Sequence, residues 1–330
     1  MAHPSASRGT LARALALFLN QGSALVGGQA VLEGVLMRIP TAYAVAVRTP
    51  KGEIRVKKEL LPETAKGRFG NLPIIRGSVI LFKALMLGIS ALNFSAEVAM
   101  EEEETPSEGG GKTPQKKDAK TTFALAMTVV FSLAMGVVLF FYVPLLLTQF
   151  AGKFWAPARG TFGFNLVDGA IRLVIFLAYI LLISLLKDIR RVFAYHGSEH
   201  KVVHTWEAQK DLTVENTRGF SVLHPRCGTS FLLFVMAVSI LVFSVVPHDA
   251  PFWMKAASRL VFLPLIAGLS YEMIRLTARF PCSWWSKPLL LPGLALQRLT
   301  TREPDDSMLE VALHALREAL ELDRIKKEAA

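Results

Sequence analysis

Hydrophobic positions in this chain gather into long unbroken runs, not into the alternating or three-and-four spacing of a soluble domain. Residues 123–147 (FALAMTVVFSLAMGVVLFFYVPLLL) carry no charged side chain. Residues 173–186 (LVIFLAYILLISLL) continue an apolar helix that starts near Phe164 and is interrupted by Asp168 and Arg172. A third run covers 231–247, and a fourth covers 260–274 and needs Trp253 to Leu260 to complete it. Crossing a bilayer takes about 20 apolar residues in a helix, so the pattern predicts four transmembrane helices. The segment from Pro73 to Met100 is also apolar, but Arg76 and Lys83 interrupt it at helical spacing. It reads as an amphipathic helix lying in the interface or as a re-entrant element, with a fifth span as the alternative.

Elsewhere the period changes. Residues 42–48 (AYAVAVR) and 53–59 (EIRVKKE) alternate on either side of Thr49-Pro50-Lys51-Gly52, which predicts a β-hairpin with a modest polar face. Pro304-Asp305-Asp306 opens a helix to about Lys327 whose Leu309, Leu313, Leu316 and Leu320 form one stripe, expected to pack on the parent domain. Residues 101–121 begin with four glutamates and pass into Gly, Pro, Lys and Thr, the composition of a disordered linker. The glycine-rich stretch Gly27–Val35 lacks the Gly-Lys-Ser/Thr of a phosphate loop, so a tight backbone crossing is expected there. The functional alternative puts Glu33 or Gln29 near the site described below. Arg8 and Arg13 precede a short LALFL core with no convincing cleavage site, which favours an interfacial helix over a signal peptide. The expected division is 1–100, an N-terminal cytoplasmic or interfacial region; 101–121, the linker; 122–280, the transmembrane domain with a loop at 188–229; and 281–330, a cytoplasmic tail and helix. The fold class is a mainly α membrane protein: about four transmembrane helices, a His-rich helical loop, a small N-terminal β-hairpin element and a C-terminal amphipathic helix.

Charge orients this arrangement. Loop 187–229 holds Lys187, Arg190, Arg191, Lys201, Lys210, Arg218 and Arg226, whereas the opposite connections hold Lys153 and Arg159, then Lys255 and Arg259. The positive-inside rule places both termini and the loop in the cytoplasm of a multi-pass membrane protein. The net charge of +10 suits anionic lipid headgroups as partners. No basic stretch is interleaved with exposed aromatics, so nucleic acid is not an expected partner. The two cysteines, Cys227 and Cys282, are far apart and on the reducing side, which argues against a structural disulfide.

The loop carries the candidate chemistry. His196-Gly197-Ser198-Glu199-His200 is an H-x-x-E-H signature, the reversed form of H-E-x-x-H. Positions four apart stack on one helical face, so His196 and His200 can turn a nitrogen toward one metal, with Glu199 on the flank as general base. If the second apolar helix runs on through Trp206, His196 lies about 13 Å beyond Lys187, at headgroup depth. His204 is two turns from His196, about 12 Å, and falls to a supporting role or an alternative site together with Glu207. Four of the seven histidines fall between 196 and 224, three residues before Cys227. For the further ligand His224 ranks first, Cys227 second and Glu215 third, with Glu272 a distant candidate that Arg275 at i+3 more simply neutralises. Lys201 and Arg226 are candidates to steady an anionic substrate. The expected cofactor is Zn²⁺ or another divalent transition metal.

Three functions compete. The first is a metal-dependent hydrolase at the cytoplasmic face, acting on a membrane-protein segment or a lipid-linked molecule. The second is a non-enzymatic scaffold, assembly factor or chaperone with a structural metal or hydrogen-bonded His/Cys cluster. The third is a transporter using Asp168, Arg172, Glu272 and Arg275, whose charges pair at i+4 and i+3. A thiol nucleophile at Cys227, aided by His224 or His204, is a further option. The substrate and the oligomeric state are not legible.

Four blocks in order, Gly28–Arg38, His196–Lys201, Leu223–Phe231 and Gln297–Pro304, resemble the DUF1385 (YqhQ-like) bacterial membrane proteins. The resemblance runs from about Gly27 to the C-terminal helix, excluding the linker. It implies an integral protein of the bacterial inner membrane for which a metal-dependent enzyme has been proposed, and it implies no substrate.

Overall fold

The computed structural model describes residues 26–61, 72, 74–100, 119–155, 160–247, 249–279, 283–284 and 286–329. The expected N-terminal interfacial helix, His248, Cys282 and residues 101–118 of the linker lie outside the described residues. Strands β1 (Gly27–Val31), β2 (Gly34–Arg38), β3 (Ala42–Arg48) and β4 (Ile54–Leu60) are followed by helices α1 (Ile75–Met100) and α2 (Ala119–Val137). A π-helical turn, Val138–Tyr142, joins α2 to α3 (Val143–Phe154). Then come α4 (Thr161–Ile183), α5 (Lys187–Glu207), α6 (Val214–Arg218) and α7 (Thr229–Phe243). The chain ends through α8 (Phe252–Val261), α9 (Leu263–Arg279), α10 (Ser286–Thr300) and α11 (Asp306–Glu328).

The hairpin expected at 42–59 is the β3–β4 half of a four-stranded antiparallel meander in the order β1-β2-β3-β4. Strand alternation sorts its side chains onto two faces. Val35, Met37, Ala44 and Ala46 share one core with Tyr195, Val202 and Val203 of α5 and with Val311, Leu313 and Leu316 of α11. Leu36, Tyr43, Val45 and Val47 share another core with Ala91 and Val98 of α1. A sheet covered on both faces explains why β3 is buried at every position but its last. The α11 stripe thus packs on its own domain, and Asp305 caps the helix by accepting from Met308 N at 2.9 Å.

The apolar helices fit a membrane protein. By length and composition Ile75–Ala99, Val130–Phe154 and Thr161–Ile183 can each cross a bilayer. Trp253–Val261 and Leu263–Thr277 add a fourth span if their 46° bend lies within one crossing. Large apolar side chains such as Phe131, Leu133, Val174 and Leu182 remain exposed, as lipid-facing positions do.

The membership of that set differs from expectation. The run at 231–247 forms only the 15-residue α7, about 22 Å long and short of a bilayer core of about 30 Å. Ser244 ends it as the C-cap, donating its backbone N–H to Ile240 O and Val242 O three residues before Pro247. Conversely, α1 is long and apolar enough to be counted among the candidate spans, and Arg76 lies in its first turn. It meets Glu272 of α9 in a two-pronged pair at 2.6 and 2.5 Å, which neutralises a charge within an apolar helix. Glu272 is therefore the partner of Arg76 and stands apart from the histidines. The rod expected from 166 to 206 is also broken: Leu186 is extended (φ −71, ψ 135) between α4 and α5. That bend turns α5 onto the sheet, where its apolar face is buried.

Candidate metal centre

Helix α5 is amphipathic in an unusual sense: its apolar side faces the sheet and α11, and its flank holds buried polar side chains. His200 is 2% exposed and Glu199 7%. Two glycines admit the neighbouring backbone. A Cβ on Gly197 would stand 2.1 Å from Arg302 O, where the chain leaving α10 crosses α5. A Cβ on Gly28 would stand 2.7 Å from Glu199 Cγ, so edge strand β1 rests directly on the carboxylate-bearing side chain. The glycine-rich stretch is thus the tight crossing the sequence suggests.

Each histidine of the motif is oriented by a carbonyl. His196 Nδ1 lies 2.9 Å from Thr300 O, and His200 Nδ1 lies 2.5 Å from Val222 O. A carbonyl oxygen only accepts, so both Nδ1 atoms carry the proton and both Nε2 atoms present bare lone pairs. His200 Nε2 is buried with no hydrogen-bond partner among the described residues. His196 Nε2 has Cys227 Sγ at 3.2 Å. Glu199 Oε2 stands 3.8 Å from His196 Nε2 and 3.9 Å from His200 Nε2.

The ligand atoms of His196, His200 and Cys227 all lie within 4.8 Å of one another. Ligand atoms around a tetrahedral zinc, at about 2.0–2.3 Å from the ion, stand about 3.3–3.8 Å apart. A backbone carbonyl on the far nitrogen is how metal-ligating histidines are commonly held. An unsatisfied buried lone pair costs about 1–3 kcal/mol, and a cation beside His200 Nε2 would satisfy it. The three side chains could hold a metal ion.

A second group, His204, Glu207 and His224, is also close enough for a metal, but it is occupied by its own hydrogen bonds. His224 Nδ1 accepts from Arg226 N at 3.2 Å, and its Nε2 faces both Glu207 oxygens at 3.3 and 3.4 Å. Glu207 also pairs with the Arg226 guanidinium. His204 Nε2 donates to Leu223 O at 3.0 Å. Burial pushes both His204 and His224 down to about 4, so both are neutral at physiological pH. Their role is to hold the loop. Gln297 of α10 completes the clamp, accepting from His224 N at 2.8 Å and donating to His224 O at 2.9 Å.

The order of candidates changes accordingly. His224, ranked first as third ligand, turns toward Glu207, and Cys227 takes that place because the Gln297 clamp fixes the turn between them. Glu215 is exposed on α6, away from the cluster. Lys201 is buried in a pair with Glu303 and donates to Arg218 O at 2.8 Å. Glu33, at the left-handed φ of 51°, binds Arg191 through two contacts of 2.5 Å and does not reach the cluster. Arg226 and Gln29 do line the cavity of about 520 Å³ that His196, Glu199, His200 and Cys227 border. Sequence reasoning missed Thr300, Val222 and Gln297. Backbone carbonyls leave no sequence signal, and Gln297 had only its place in the last of the four blocks.

Apolar helices of spanning length, a covered sheet and a buried His/Cys/Glu cluster between them define a membrane protein with a candidate metal centre. The model of the family described as "Protein of unknown function (DUF1385)" matches residues 72–322, and the chain belongs to that family. The uncharacterized protein YqhQ of Bacillus subtilis (strain 168) is 34% identical over 314 residues, covering 92% of this chain and 94% of YqhQ. No solved structure matches.

Proposed function

We propose that this protein is a metal-dependent hydrolase of the bacterial inner membrane, with its centre at the cytoplasmic surface. His196, His200 and Cys227 would hold the ion, and Zn²⁺ suits two imidazoles and a thiolate. The observation that carries the reading is the buried, unpartnered Nε2 of His200 converging with His196 Nε2 and Cys227 Sγ beside a cavity. When bound, such an ion supplies a Lewis acid and acidifies water. Glu199 takes the proton of the attacking water and returns it to the leaving group. Arg226 also lines the cavity, with its guanidinium paired to Glu207, and would meet a substrate as half of that ion pair. Orientation rests on the basic loop and the positive-inside rule.

One observation favours the scaffold reading instead. Glu199 Oε2 is nearly equidistant from both Nε2 atoms, and as a fourth ligand it would close the site to water. The paired charges at Asp168 and Glu272 lend the transporter no support. The deciding experiment is Glu199→Gln, with metal per chain measured by elemental analysis and function by complementation of a deletion strain. Retained metal with function lost by about 10²–10⁴ supports the hydrolase. Loss of metal together with function makes Glu199 a ligand and supports the scaffold. Protein purified folded yet free of transition metal sinks the hydrolase and leaves the scaffold with a hydrogen-bonded His/Cys cluster.

A further inference from the structure

The cavity at the cluster has a neighbour. A second cavity of about 400 Å³ lies between the same three helices, α4, α7 and α10, one turn deeper into their apolar length. Leu173 of α4, Leu233 of α7 and Pro292 of α10 border the second, and Phe176, Leu232 and Leu296, each within about a turn of these, border the first. Together their α4 linings run from Leu166 to Ile180, about 21 Å at 1.5 Å per residue. The first is bordered by the His/Cys/Glu cluster and Arg226; the side chains that border the second are all apolar.

We propose that the two cavities connect as one path and hold one alkyl chain of a membrane lipid, with the polar head beside the cluster. The substrate class is then a membrane lipid, an assignment that rests on the hydrolase reading above. Polarity argues against an extended peptide, because every side chain lining the second cavity is apolar and each unpaired peptide group in such surroundings costs several kcal/mol. An alkyl chain asks for no hydrogen bond. Ala170 and Ala237 face the path from α4 and α7 and leave the room it needs.

The test uses the full chain in nanodiscs of phosphatidylethanolamine and phosphatidylglycerol, with a trace of phosphatidylglycerol carrying a diazirine in one acyl chain. After irradiation, labelled peptides are mapped by mass spectrometry and metal per chain is measured on the same samples. Labelling is expected to concentrate on residues 166–173 and 233–240 and to fall about tenfold when Ala170→Trp and Ala237→Trp fill the path, with metal content unchanged. Excess lysophosphatidylglycerol should compete it away from the unaltered protein, a readout independent of how the filled variant folds. Labelling centred on outward positions such as Val174 and Leu182, or indifferent to competitor, overturns the proposal. So does a diazirine-bearing transmembrane peptide that labels the path in place of the lipid. Metal without localised labelling removes the lipid alone, and localised labelling without metal removes the hydrolase alone.

Discussion

Two groups of buried ionisable side chains sit toward opposite ends of α4 and settle their charge differently. Near its start Asp168, 2% exposed, accepts through Oδ2 from Arg172 at 2.7 Å and from Arg259 of α8 at 2.9 Å. Beyond its end His196, Glu199, His200 and Cys227 converge with two imidazoles, a thiol and an acid between them. The first group carries its own cations: two guanidinium groups share one carboxylate oxygen, with one positive charge in excess and Asp168 Oδ1, Arg172 Nε and Arg259 Nε left without hydrogen bonds among the described residues. The second has no cation of its own, and His200 Nε2 is left without a hydrogen-bond partner among the described residues. Burial of polar groups is common to both; the sign of what they present separates a structural brace from a candidate binding site.

Asp168→Ala should have the largest effect, because it leaves two guanidinium groups buried without their acid. A loss of about 3–5 kcal/mol is expected, read as a lower thermal midpoint in detergent, with metal per chain unchanged in the folded fraction. Should metal content fall in parallel, the two groups are coupled and the contrast fails. His200→Gln keeps a donor for Val222 O but removes the bare nitrogen. Metal affinity should drop at least about 100-fold, beyond what loss of a supporting partner costs, while the metal-free protein melts near the parent. Equal metal binding in parent and variant would remove His200 from the site.

Acid should act on the loop clamp, and the sign follows from proton counting. His204 and His224 have folded values of about 4, below the ordinary histidine value of about 6.5. The unfolded chain therefore binds more protons between these values, and stability rises with pH across the window. The contribution is fully present above pH about 6.5 and is lost as pH falls toward 4. Thermal midpoints of chelator-treated protein should fall on acidification through that range, and His204→Gln should flatten the curve. A profile unchanged by that substitution would mean His204 is not held neutral. Smallest of all, Glu33→Gln breaks the half-exposed pair with Arg191 and weakens the long hydrogen bond that Glu33 accepts from the Tyr195 hydroxyl, and should cost about 1 kcal/mol. Metal content and complementation should not move; if they do, the Gly27–Val35 stretch belongs to the site more intimately than its contacts indicate.

Much of the centre was legible because helical spacing is short-range geometry. His196, Glu199 and His200 share a flank of one helix whatever α5 packs against, and Asp168–Arg172 pair at i+4 for the same reason. The third donor was not legible. His224 and Cys227 are three residues apart in a loop, and which of them meets the His196–His200 pair depends on Gln297, 73 residues from His224. Arg76 with Glu272 and Arg259 with Asp168 likewise join segments distant in sequence, where i+3 and i+4 neighbours supplied the nearer guess.

Sequence by itself determined the apolar helices, the strand alternation, the stripe and cap of α11 and the orientation of two imidazoles on one face, since each depends on the period of a single element. Only the tertiary structure decided that the hairpin extends to a sheet covered on both faces, that α4 and α5 part at Leu186, and that a cysteine completes the cluster while His224 locks the loop. Those outcomes depend on competition among distant segments for the same buried volume, which no local period encodes.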